Sequence, residues 1–252
     1  MPEPDRTLAS LVAHLDGLLD LAAFEDYSGA LNGLQVENPG TVTRIAAAVD
    51  AHLGTLEAAA AAGADFLLVH HGLFWSPMAP LTGAAWRKAK LCLDHGLAVY
   101  AAHLPLDAHP ELGNTAGLAK ALGLAGGEPW FEAKGRGIGL RFEVDLGRDE
   151  LAARLERATG RATVLAGGPA RVRSLGLVTG GAGGDLAEAR GVDTFLTGEG
   201  PHWTYGLALD LGMNVLYGGH YATETFGVKA VAAHLSARFG LPWVFLDDPS
   251  GL

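Results

Sequence analysis

Gly63-Ala64-Asp65-Phe66-Leu67-Leu68-Val69-His70-His71 and Gly191-Val192-Asp193-Thr194-Phe195-Leu196-Thr197-Gly198-Glu199 follow one pattern: a glycine, an aspartate two residues on, an apolar run, and side chains able to bind a metal or move a proton. The glycine reads as a helix stop and the run, too short for a helix, as a buried strand. Upstream of the first stretch, residues 45–49 read as a strand and 55–62 as a helix, which makes a β-α-β unit. Downstream, a Pro-containing loop at 75–80 leads to a helix at 84–94 stopped by Gly96. A strand at 97–101 then ends at His103, and a helix follows at 115–122.

Around the second stretch the plan repeats, with a strand at 174–178, a glycine-rich turn at 180–184, a helix at 186–189 and a strand at 194–197. Gly96-Leu97-Ala98-Val99 lines up with Gly212-Met213-Asn214-Val215, and each strand runs out into His-x-x-x-acid: His103 to Asp107, and His220 to Glu224. One residue of offset is needed before the histidine. The expected fold is therefore α/β, built of two related halves, 1–126 and 127–252, joined through the glycine-rich segment 123–139. Functional loops belong at the C-terminal ends of the strands, where the histidines and acids fall.

Neighbouring side chains on a strand point to opposite faces, so His70 and His71 converge only where the strand has ended, which Gly72 suits. Two neutral imidazoles make good ligands for Zn, Fe, Mn or Ni; hydrogen bonding to loop backbone is the plainer alternative. His220 and Glu224 share a face if the chain turns helical after Tyr217, and chelate one cation unless Glu224 only caps the next helix. Pro105 argues against a regular helix before Asp107, and for an irregular loop that aims its carboxylate inward. Three histidines and two carboxylates at matching strand ends form a mixed N/O set suited to two divalent cations. His103 and Glu199 occupy the equivalent places in the opposite half and are candidate catalytic, proton-transfer groups, with His202 a third. The 180–184 turn either holds a phosphate on its amides or packs a strand tightly on a helix; it lacks the Lys-Ser/Thr of a P-loop. Asn32-Gly33-Leu34-Gln35 reads as a turn, and the remaining histidines, among them His14, His52 and His234, as surface or packing residues.

The composition of the 252-residue chain is about half apolar, and its formal charge is −10 with no basic run, which argues against nucleic acid and anionic membrane surfaces as partners. The single cysteine, Cys92, sits in an apolar helical stretch and fits a reducing compartment. The N-terminal stretch has an acidic head and helical periodicity rather than the pattern of a signal peptide, and no long uncharged apolar run occurs, so a cytoplasmic protein is expected.

Together, LNGLQV (31–36), GADFLLVHHGLFW (63–75), AAHLPLDAHPELGNTAGLAKALGL (101–124), GLVTGGAGG (176–184), VDTFLTGEGPH (192–202) and GGHYATETFGVKA (218–230) resemble the NIF-three-like family of GTP cyclohydrolase I type 2 homologues. The motifs cover nearly the whole chain in order. Family members more often carry Pro or another residue where this chain has Gly72, a difference that removes no ligand. The resemblance implies a toroidal homohexamer of two-domain subunits, with a dinuclear metal site whose ligands match His70, His71, Asp107, His220 and Glu224. Only about 45 residues separate Leu124 from Arg171, so the inserted domain of longer members is expected to be absent. Two function classes follow. One is a metal-dependent hydrolase acting on a nucleotide or related heterocycle; the other is a non-catalytic metal-binding or metal-delivery scaffold. An iron oxidoreductase is a third reading, since nothing selects Zn, Fe or Mn among the metals.

Overall fold

A computed structural model describes residues 5–75 and 80–252. The expected loop at 75–80 therefore lies mostly outside the described residues, as do the first four positions. In chain order the elements are α1 (Leu8–Leu18), β1 (Gly33–Val36), β2 (Ile45–Asp50), α2 (Leu53–Ala61), β3 (Phe66–His71), α3 (Gly83–His95), β4 (Ala98–Ala101), α4 (Leu104–Asp107) and α5 (Asn114–Ala121). They continue with β5 (Glu128–Ala133), β6 (Arg136–Gly147), α6 (Arg148–Thr159), β7 (Thr163–Ala166), β8 (Arg171–Leu177), a 3₁₀ segment Ala182–Glu188 and β9 (Thr194–Thr197). The last are α7 (Thr204–Asp210), β10 (Asn214–Tyr217), α8 (His220–Thr223), α9 (Thr225–Phe239) and β11 (Trp243–Phe245).

The chain divides into two compact units: Met1–Leu106 with Gly227–Asp248, and Asp107–Phe226 with Pro249–Leu252. The first holds a five-stranded sheet in the order β1-β4-β3-β2-β11. Strands β11, β2, β3 and β4 are mutually parallel and β1 closes the edge antiparallel. β2 and β3 are buried along nearly their whole length, as parallel strands covered on both faces must be. The division differs from the expected 126/127 boundary in two places: the break falls between Leu106 and Asp107, and the chain end returns to the first unit, where β11 adds to the sheet beside β2. Asp107 accordingly falls in the second unit, not the first.

The second unit holds a six-stranded sheet, β5-β6-β8-β9-β10-β7. Its β8-β9-β10 core is parallel, like β2-β3-β4. Duplication extends to fine detail. Gly63 and Gly191 have φ of 67° and 78°, and Gly96 and Gly212 of 58° and 61°, left-handed stops that a side chain would strain. The Asp65 carboxylate accepts the N–H groups of Thr43 (2.9 Å) and Arg44 (3.1 Å), and the aligned Asp193 accepts those of Arg173 (2.8 Å) and Ser174 (3.1 Å). Each half thus ties the start of its first core strand to the residue before its second.

Three sequence expectations are corrected. The supposed linker at 123–139 contains β5 and the start of β6, which with β7 belong to the second unit's own sheet. Their burial is patchy, so no clean alternation marks them as strands. Residues 33–36 form β1 rather than a turn, paired antiparallel with β4. The expected helix at 186–189 is part of a 3₁₀ segment that begins at Ala182.

No helix of the described residues is long and apolar enough to cross a membrane. Cys92 is buried in α3. Two of the remaining histidines form a pair: His14 of α1 and His234 of α9 bring their Nε2 atoms within 2.9 Å, with the rings stacked 5.1 Å apart. One ring must donate and the other accept, so the pair needs neutral imidazole. Burial, then the charges of Arg238 and His234, hold the His14 pKa below its ordinary 6.5. A depressed histidine pKa favours the folded state above the unfolded value and loses that contribution as pH falls below about 6.5 through the folded value. Thermal melts should therefore fall less steeply between pH 7 and pH 5 in His14→Gln than in the wild type; parallel curves would remove the pair from the pH response.

Candidate metal centre

In the first unit β3 ends in His70-His71, and β4 leads into His103 one residue beyond Ala102. Contrary to expectation, both members of the His70-His71 pair lie within the strand. Their rings are nonetheless only 4.7 Å apart, and each is 4.9–5.6 Å from His103. One ligand atom from each of the three lies within 4.8 Å of the others. Register explains part of this. His71 pairs across the sheet with Asp50, the last residue of β2, and its Nδ1 is 2.8 Å from the Asp50 carboxylate, which draws the ring toward the strand end.

The His70 Nδ1 lies 2.8 Å from the carbonyl oxygen of Ala102. A carbonyl can only accept, so this nitrogen carries a proton, and in the neutral ring Nε2 holds the lone pair. His103 Nδ1 meets the Asp26 carboxylate at 2.9 Å. Asp26, with its side chain 4% exposed, also takes the Asn32 amide, the Tyr27 N–H and the Leu104 N–H. Burial works to raise the Asp26 pKa, but the hydrogen bonds from His103 and Asn32, with the His103 charge and Tyr27 N–H, outweigh it and hold the carboxyl below its usual range.

In the second unit α8 is a single turn that puts His220 and Glu224 on one face, with Nε2 and Oε2 3.2 Å apart. Glu224 follows the last residue of α8 and is almost fully buried, which suits a ligand better than a solvent-facing cap. The other ring nitrogen of His220 lies 2.8 Å from the Glu199 carboxylate. Burial alone would depress the His220 pKa. Glu224 first, then Glu199, more than reverse this and push it up to about 9.

Asp107, 9% exposed, ends α4 and accepts the Asn114 amide at 2.8 Å. The expected irregular loop is thus a helical turn. Pro105 is its second residue, where no N–H is needed. His202 is exposed and belongs to neither cluster among the described residues. The glycine-rich turn packs against the donors: a Cβ on Gly180 would fall 2.1 Å from Glu224 Oε1. Gly72 has its own local cause, since a Cβ there would meet the Gln35 amide at 2.2 Å while that amide accepts the Leu73 N–H.

Among the described residues two groups are able to hold divalent cations, one of the three imidazoles of His70, His71 and His103 and one that includes His220 and Glu224. The donors fit such an ion on their own chemistry. Each of the four imidazoles has Nδ1 against an acceptor oxygen, the arrangement that fixes a metal-binding histidine with Nε2 as the ligand atom. Sequence reasoning missed Asp26, Asp50 and Asn114, which orient donors. Only Asp50 carried a signal, as the polar end of a buried strand.

A duplicated α/β chain with imidazole and carboxylate donors at its strand ends is, as a class, a metal-binding protein. It matches the Duf34/NIF3 (NGG1p interacting factor 3) family over residues 6–250 and belongs to that family. It is 43% identical to the GTP cyclohydrolase 1 type 2 homolog of Deinococcus radiodurans over 96% of this chain and 93% of that one. The homolog of the same description from Archaeoglobus fulgidus is 40% identical over 97% and 99%. Among solved structures, TTHA1606 from Thermus thermophilus is similar with a TM-score of 0.90 and 45% identity, covering 98% of this chain and all of that one. Protein ybgI, described as of unknown function, gives 0.88 and 34% over 98% and 100%.

Proposed function

We propose that the protein is a metal-dependent hydrolase in which His70, His71, Asp107, His220 and Glu224 hold two divalent cations, Zn, Fe or Mn. The substrate class is a nucleotide or a related heterocycle. The observation that carries the metal reading is the set of imidazoles whose Nδ1 atoms are all taken by acceptors. The substrate class draws its support from the description of the relatives as GTP cyclohydrolase 1 type 2 homologs. Bound divalent cations supply Lewis acidity and lower the pKa of a coordinated water toward neutrality. The chain's own part is to fix the donors and handle the proton. Asp50 and the Ala102 carbonyl set the ring planes of His71 and His70, and Asn114 holds the Asp107 carboxylate. Glu199 orients His220 and, being partly exposed, is suited to pass a proton to solvent.

On this reading the chain works as a cytoplasmic homohexamer, and light scattering should give six times the 26.1 kDa chain mass. The test of function is a screen of nucleotides, phosphoesters and cyclic amides with metal-free and metal-reconstituted protein. Turnover is expected only after reconstitution. Protein that binds metal and turns over none of these would instead be a metal-delivery scaffold.

A further inference from the structure

We propose that His103 is itself a metal ligand, a third imidazole donor to the cation held by His70 and His71, positioned by Asp26 and Asn32. This rests on the reading of the site as a divalent-metal centre and adds a donor outside the five assigned above. The three donor atoms lie mutually within 4.8 Å, and Asp26 fixes the His103 ring as Ala102 and Asp50 fix the other two. With Nδ1 committed as donor to the carboxylate, Nε2 is the nitrogen left to bind a cation.

Asp26 and Asn32 leave His103 little freedom. The Asp26 carboxylate takes the ring N–H of His103 and the backbone N–H of Leu104, while the Asn32 side-chain oxygen accepts the backbone N–H of His103 at 2.7 Å. The Asn32 amide closes the loop by donating back to Asp26 at 2.8 Å. This accounts for the Asp26 to Asn32 segment, which the five-ligand reading leaves without a task. A group that shuttles protons needs a route to bulk water and room to turn. The His103 side chain is only 12% exposed, with the Trp75 ring 4.6 Å and the Tyr27 ring 6.0 Å away. A fixed, screened imidazole beside two others suits coordination better than proton relay.

The full chain, stripped of metal and loaded with Co²⁺ alone, provides the test. A histidine bound through Nε2 to Co²⁺ keeps its Nδ1–H, which appears in proton NMR as a strongly shifted, exchangeable signal. Wild type should show four such signals, from His70, His71, His103 and His220. His103→Gln should lose one, weaken the visible cobalt absorption of the first-unit ion and lower Co²⁺ affinity about tenfold or more. Asp26→Asn, which keeps the imidazole, should lower affinity about 10-fold to 100-fold, as such outer partners do. The wild-type count needs no variant to fold. Three signals, with His103→Gln binding Co²⁺ as wild type does, would overturn the His103 assignment and leave the five-donor centre standing. Wild-type protein that takes up no Co²⁺ would overturn both.

Discussion

Glu224→Ala, purified beside wild type without added metal, should retain less than about a tenth of the wild-type metal content. Substituting groups that only orient a ligand lowers affinity about 10-fold to 100-fold, and loss of a buried carboxylate donor should exceed that. Glu224 is 3% exposed and faces His220 across 3.2 Å, so its charge is screened little by water. The same pair gives an independent readout in metal-free protein. Burial opposes the His220 charge, but Glu224 and Glu199 raise its pKa from 6.5 to about 9. A raised histidine pKa contributes stability that is complete below about pH 6.5 and is lost as pH rises through about 9. Metal-free wild type should therefore lose thermal stability across that window, and Glu224→Ala should flatten the loss. Metal competes with the same proton, so uptake by wild type should strengthen with pH over the same range and release protons. Equal metal content in variant and wild type would remove Glu224 from the centre.

The repeated frame was legible because it rests on local chemistry. Glycine stops at Gly63, Gly96, Gly191 and Gly212 need positive φ, and the apolar runs after them belong to strands buried on both faces. The strand expected at 194–197 has the observed bounds of β9, and three of the five expected donors, His70, His71 and His220, sit at or just past the ends of core strands. What escaped was non-local. β5, β6 and β7 lie at the margins of their sheet, where partial exposure blurs the period-two pattern. β11 joins β2 across some two hundred residues of sequence, a pairing no local pattern encodes. Asp26 lies 77 residues from His103, and Asp50 lies 21 from His71. Such orienting groups are read from contacts, because a carboxylate near a turn has the same sequence signature whether it faces water or an imidazole. The His70-His71 pair shows the opposite error. Strand alternation does not govern a strand end, where cross-strand pulls such as that of Asp50 decide the ring positions.

Gly180→Ala should disable the second unit's donors without touching any of them. Gly180 has φ of 70°, a conformation that costs a non-glycine residue about 1–2 kcal/mol. An added Cβ would fall 2.1 Å from Glu224 Oε1 and 3.4 Å from His220 Nε2, the first of which is far inside van der Waals contact. The backbone has little room to retreat. Gly180 N–H donates to the hydroxyl of Thr223 at 3.1 Å, and its carbonyl accepts the N–H groups of Gly198 and Glu199 at 2.9 and 3.0 Å. Moving the turn would break bonds that tie the end of β8 to the ends of β9 and α8, so the Glu224 carboxylate must swing aside. Metal content should drop to the level of Glu224→Ala, with a modest fall in melting temperature. The double variant Gly180→Ala/Glu224→Ala should hold no less metal than either single one, because both act on the same carboxylate. Gly184→Ala is the matched control: it lies in the same turn, and a Cβ there meets nothing within 4 Å. It should bind metal as wild type does. A Gly180→Ala protein with full metal content would mean that Glu224 has a second productive position, and that the close approach of this glycine serves packing alone.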